Sequence, residues 1–309
     1  MGCAARRSKA RQLHGSTQVN RQNSFVTPAR LITMNRMSAT KERDYVLGTH
    51  DAEVQRLGFQ HGVWQSHVRQ AWLAAGIGPG TRVVDVGAGP GFATLDLAEL
   101  VGPLGRVVAV ERSGRFVDVL KAACQSRGFS HVDAHELDLM QEAIPATDLD
   151  AAWCRWVACF VSDPLLLLKR VHACLRPGGT LVLHEYVDYS TYSCLPDRPA
   201  IEAFVQETMS SWRASGGEPD IARQLPTALH QNGFRVMSTR PIGMAVTRNE
   251  PAWNWPAGFV RTHVDRLLEL GRVDAAWVAA VLADLEAAEA DPNSVFITPL
   301  VLQIIAEKV

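Results

Sequence analysis

Val83-Val84-Asp85-Val86-Gly87-Ala88-Gly89-Pro90-Gly91 reads as an apolar strand carrying one acid and running into a G-x-G-x-G turn. Residues 93–101 follow as a helix, whose N-terminal amides favour an anionic group. The loop that binds nicotinamide dinucleotides has its third glycine one place later, where this chain has Phe92. Asp85, two residues before the first glycine, would repel a pyrophosphate and attract a ligand that is cationic or donates hydrogen bonds. A zwitterionic amino-acid tail suits it better, which turns the reading away from a nicotinamide oxidoreductase.

Working outward, residues 106–111 form a second strand that ends in Glu111, about 20 residues past the glycines, where a carboxylate can bind ribose hydroxyls. Residues 131–136 suit a third strand, with Asp138 and Leu139 just beyond it. A fourth at 149–154 is followed by Arg155-Trp156, and Leu175-Arg176-Pro177-Gly178-Gly179-Thr180 turns into a fifth at 181–186. In order and spacing these parts resemble the class I S-adenosylmethionine (SAM)-dependent methyltransferases, firmly over residues 81–189. The character is closest to the small-molecule methyltransferases of ubiquinone and menaquinone biosynthesis. The resemblance implies an α/β fold with a Rossmann-like, mostly parallel seven-stranded sheet, helices on both faces and helical cap insertions. It implies SAM as the cofactor. Asp85, Gly87, Ala88, Gly89 and Gly91 would cradle it, Glu111 would meet the ribose, Asp138 and Leu139 the adenine, and Arg155 the methionine end, with Arg112 also among the cofactor-binding residues.

Composition agrees with one elaborated domain. The chain has 309 residues, 47% of them hydrophobic, enough for a full core. Six cysteines without a C-x-x-C pair or a framework spacing suit a reducing, cytoplasmic setting, and no apolar run reaches membrane-spanning length. Residues 1–41 hold eight Lys and Arg and no Asp or Glu, and read as a disordered basic tail resembling a transit peptide. The expectation is a mis-assigned start, with translation beginning at Met34 or Met37, and the alternative is a targeting segment. The body then carries 23 basic against 32 acidic residues, a charge of −9 that disfavours a nucleic-acid substrate. No histidine pair has ligand spacing, so no metal is expected.

Residues 42–309 are expected to form the methyltransferase domain. A helical period over 51–75 would lie against the sheet, with Tyr45, Gln60 and Trp64 placed to line a lid. Helical signals at 190–218 and 251–292 interrupt the alternation as cap insertions over the acceptor, bringing Trp212, Trp253 and Trp255 to its pocket. Between them a helix at 221–232, capped by Asp220, precedes a strand at 234–240. A last β-rich run at 294–306 would close the sheet antiparallel beside that strand.

Methyl transfer needs an aligned acceptor lone pair and excluded water, and needs a base only when the acceptor must lose a proton. The end of the fifth strand is His184-Glu185-Tyr186, the candidates for the chemistry: Glu185 or His184 as base, Tyr186 as a stacking or catalytic group. The expected reaction carries a methyl group from SAM to oxygen, nitrogen or carbon of a small molecule, giving S-adenosylhomocysteine. The alternative is a SAM-binding subunit without methylating activity, or a lyase or cyclase on the same fold.

Overall fold

The computed structural model describes residues 50–309. The expectations for the basic tail, the start site and Tyr45 lie outside the described residues. Helix α1 (Asp51–Ala74) starts at His50, whose imidazole accepts the Glu53 amide, and buries Trp64, Val68 and Trp72. The alternation then runs β1 (Arg82–Val86), α2 (Phe92–Val101), β2 (Arg106–Glu111), α3 (Gly114–Arg127), β3 (Val132–Glu136), β4 (Leu149–Arg155), α4 (Pro164–Cys174) and β5 (Leu175–Asp188). β1, β2 and β4 are buried on both faces, so their sequences are continuous Val- and Ala-rich runs.

Later elements are α5 (Pro199–Ala214), α6 (Leu225–Gln231), β7 (Phe234–Ile242), α7 (Asn254–Glu269), α8 (Ala275–Ala290) and β10 (Leu300–Lys308). The seven-stranded sheet has the order β3-β2-β1-β4-β5-β10-β7, with β10 antiparallel to both neighbours and the first five strands parallel. This is the Rossmann-like architecture the motifs imply. The strand order reverses between β1 and β4, and ligands in such sheets bind beyond the carboxyl ends of the strands at that point.

Three details differ from the sequence reading. The run at 294–306 divides at Thr298-Pro299, where the Thr298 amide donates to the Met244 carbonyl and the Thr298 hydroxyl accepts the Met244 amide. Its first part, β9 (Val295–Ile297), joins β6 (Ser193–Leu195) and β8 (Ala245–Thr247) in a separate antiparallel sheet of order β6-β9-β8. The helix expected from residue 221 begins at Leu225, because Pro226 fits only a first turn. Asp220 does not cap it; its carboxylate accepts the Tyr189 amide at 2.7 Å. Helices α5, α7 and α8 fall within 190–218 and 251–292 and pack on one another.

Candidate active site

A cavity of about 570 Å³ opens at the carboxyl ends of β1, β2, β4 and β5. Its first wall is the glycine loop. Asp85 lies under it, buried, and accepts the Thr94 hydroxyl at 2.6 Å; burial raises its carboxyl to about 6, against the pull of Arg155. Glu111 accepts the Gly89 amide at 2.9 Å and the Ser113 amide at 2.8 Å. It braces the loop and, with the Arg112 amide also bonded to it, has lone-pair capacity left for a hydroxyl. Burial raises Glu111 as well. Arg112, Leu137, Asp138 and Leu139 line the same end, with Asp138 taking the Met140 amide at 2.8 Å. Gly87 and Ala88 also face the cavity. Gly91 does not; it is the N-cap of α2, beneath the loop.

Phe92 stands where a dinucleotide loop would have glycine, and its ring lies against Gly58 of α1: a Cβ on Gly58 would meet it at 2.7 Å. The first helix thus closes down on the glycine loop through a ring and a notch. Beside that contact, Arg155 Nη2 donates to His61 Nδ1 at 3.1 Å, and His61 Nε2 meets Asp96 Oδ2 at 3.0 Å. Arginine cannot accept, so His61 Nδ1 carries the lone pair and Nε2 the proton given to Asp96. The Arg155 guanidinium sits 4.9 Å from the Trp156 ring centre; burial lowers it to about 10, and its Nη1 is buried without a partner.

The far end is aromatic. Trp156 stacks on Tyr186 at 5.3 Å and on Trp255 at 6.0 Å, while Tyr189 and Trp212 meet edge to face at 4.9 Å. Arg56 lines this end, held by a two-pronged pair with Glu53, both bonds 2.7 Å, and by Gln60 at 3.1 Å. Gln60 also accepts the Trp255 indole at 2.9 Å, tying α1 to α7.

The structure brings Tyr186, Gln60, Trp212 and Trp255 to the cavity but not His184, Glu185, Trp64 or Trp253. Glu185 is on the opposite face of β5 from Tyr186, as the pleat requires. Its Oε1 accepts the amides of Val157 at 2.8 Å and Ala158 at 2.9 Å, and its Oε2 that of Cys159 at 3.3 Å; burial lifts it to about 7. His184 lies beneath Trp153, 4.9 Å between ring centres, and bonds Gln303 at 3.2 Å. Neither has a path to an acceptor. Trp64 is core, and Trp253 packs on Phe296 at 4.5 Å. Arg56, His61, Thr94 and Asp96 escaped the sequence reading. The signal was present: Glu53, Gln60 and His61 share the helix face that Trp64 and Val68 make apolar, where unpartnered polar groups are costly.

Buried His184 and His263 are both lowered to about 3. As pH falls below about 6.5, the unfolded chain protonates these imidazoles and the fold does not, so each costs about 1.4 kcal/mol of stability per pH unit. Asp85 and Glu185, raised to about 6 and about 7, act oppositely, adding stability as pH falls until the unfolded carboxyls protonate near about 4. Stability should therefore be nearly flat from about pH 6 to 4.5 and fall steeply below about 4. Urea melts across this range should show that break, and His263→Phe should make the acid fall shallower by about 1.4 kcal/mol per unit.

With this geometry in place, three comparisons bear on the chain. Residues 84–183 match a methyltransferase-domain family model, and these residues are a class I SAM-dependent methyltransferase domain, a class whose cofactor is SAM. The demethylmenaquinone methyltransferase of Anoxybacillus flavithermus is 28% identical over 179 residues, 54% of this chain and 75% of that one. The chain spans about half the length of other curated relatives it matches. Among solved structures, geranyl diphosphate methyltransferase, in complex with GPP and sinefungin, aligns with a TM-score of 0.51 at 14% identity, covering 79% of this chain and 78% of that one. The [4+2]-cyclase SpnF aligns at 0.51 and 19%, covering 79% and 80%. These two likenesses show the fold.

Proposed function

We propose that this chain transfers the methyl group of SAM to oxygen, nitrogen or carbon of a small-molecule acceptor and releases S-adenosylhomocysteine. The observation that carries the reading is one cavity with two chemically different ends: a glycine loop braced by buried carboxylates, and an aromatic chamber roofed by α1, α5 and α7. SAM suits the first end. Gly89 has no atom within 4 Å of where its Cβ would stand, and Arg155 Nη1 lacks a partner. Glu111 would take the ribose hydroxyls, Leu137 and Leu139 the adenine faces with Asp138 at its amino group, Asp85 the amino-acid end and Arg155 its carboxylate. The bound cofactor supplies an electrophilic methyl on a sulfonium. The chain's own work is to hold the acceptor against it and exclude water.

Residues 42–309 act in this reading as one methyltransferase domain, with 190–218 and 251–292 as caps over the acceptor. No described helix is long and apolar enough to cross a membrane. The five described cysteines are free and buried, which suits a reducing, cytoplasmic setting. The acidic body speaks against nucleic acid as acceptor. Calorimetric titration with SAM and with S-adenosylhomocysteine tests the reading, and folded protein giving baseline heats with both would end it. Asp85→Ala and Glu111→Ala should each weaken binding by about 2 kcal/mol, the value of a hydrogen bond to a charged group. Formation of S-adenosylhomocysteine with an acceptor separates transfer from the cyclase or non-methylating alternatives.

A further inference from the structure

Tyr186 and Tyr189 line the cavity with hydroxyls that the fold does not use. Their rings meet edge to face at 4.9 Å, both residues are buried, and neither phenolic oxygen has a hydrogen-bond partner among the described residues. Neither oxygen is sealed by protein, so both open into the cavity. Tyr192, next along, differs: its hydroxyl donates to the Pro256 carbonyl at 2.6 Å. Burial pushes the pKa of Tyr186 and of Tyr189 well above the usual phenol range, so both keep their protons and serve as donors. The Arg56 charge, fixed by Glu53, acts on both rings from α1.

Among the described residues the same end has no proton acceptor of ordinary strength. The carboxylates lining the cavity, Asp85, Glu111 and Asp138, stand at the ends of β1, β2 and β3, and β5 lies two strands from β1, about 10 Å away. His61 has both ring nitrogens engaged, by Arg155 and Asp96. Two donors, a guanidinium and no base favour an acceptor oxygen that is already negative, and the aromatic wall favours a conjugated ring.

Resting on the transferase reading, we propose that the acceptor is a planar conjugated hydroxyl, a phenol or enol, bound as its anion with the Tyr186 and Tyr189 hydroxyls donating to its oxygen. The acceptor's proton is lost to solvent before binding. An oxygen lone pair forms the new O–C bond, the S–C bond breaks with its electron pair going to sulfur, and the products are a neutral ether and a neutral thioether.

The test uses 4-nitrophenol, whose anion absorbs at longer wavelength than the neutral form, added to the full chain saturated with S-adenosylhomocysteine. Across a pH series the bound probe should ionise at lower pH than the free probe, reflecting at least about tenfold preference for the anion. Tyr186→Phe and Tyr189→Phe, which each remove one oxygen atom, should weaken anion binding about tenfold while S-adenosylhomocysteine still binds. In turnover, a set of phenols of graded acidity should give pH profiles whose break moves with the acceptor. A probe that stays unbound or binds as the neutral phenol, Phe variants that bind the anion unchanged, or a break independent of the acceptor would overturn the proposal. Absence of S-adenosylhomocysteine binding, measured before any phenol is added, is instead the failure of the transferase reading.

Discussion

Glu185→Ala is expected to cost the fold about 4 kcal/mol, because the amides of Val157, Ala158 and Cys159 lose their shared acceptor in a place water does not reach freely. Those amides belong to the turn after β4, and Val157 and Phe160 of that turn line the cavity. Loss of the carboxylate should therefore loosen the cavity wall as well as lower the midpoint of a urea melt. Glu185→Gln should cost only about 1–2 kcal/mol, since burial already lifts the carboxyl to about 7 and an amide oxygen can replace one of its acceptors. The pair of variants separates support from chemistry. If Glu185 were the base, Gln would abolish turnover at nearly full stability; in the arrangement seen, turnover survives in Gln and falls with the fold in Ala.

Two glycines of one loop should fail in different ways. Gly91 has φ +93°, and a Cβ there would stand 2.3 Å from Leu120 Cδ1 and 3.0 Å from Leu120 Cβ. Leu120 is fully buried and cannot give way. Gly91→Ala thus combines left-handed strain with overpacking, about 3 kcal/mol of lost stability. Gly89 has φ +56° with nothing within 4 Å. Gly89→Ala should cost the fold only about 1 kcal/mol, yet place a methyl group where the cofactor must approach, weakening SAM by about 1–3 kcal/mol. Parallel denaturation and calorimetry would show stability lost in the first variant and affinity in the second. Equal stability losses would mean that the open side of Gly89 is not a ligand face.

The loop and the strand before it were legible because their chemistry is local. A β1 buried on both faces must be apolar throughout, a turn that admits a ligand must drop its Cβ, and the acid of β2 follows at a fixed distance. Glu111 was found this way, and it braces Gly89 directly. The residues at the far end were not legible. His184 and Glu185 looked like chemistry because an acid and a base close a strand; the pleat and the Trp153 ring send both into the protein. Arg56 and His61 looked like ordinary polar positions of a helix, and only the packing of α1 onto α2 and α7 makes them walls of the cavity.

By itself, the order of residues determined the alternating sheet, the place of its switch point and the carboxylates beside it, since each depends on neighbours a few positions away. Tertiary structure alone decided which side chains share the cavity: Arg155 meets His61 across 94 positions and Trp255 meets Gln60 across 195. Contacts of that range leave no periodic mark on a chain. They arise when separate elements bury their apolar faces together, and the polar groups caught between them must then find partners or face a ligand.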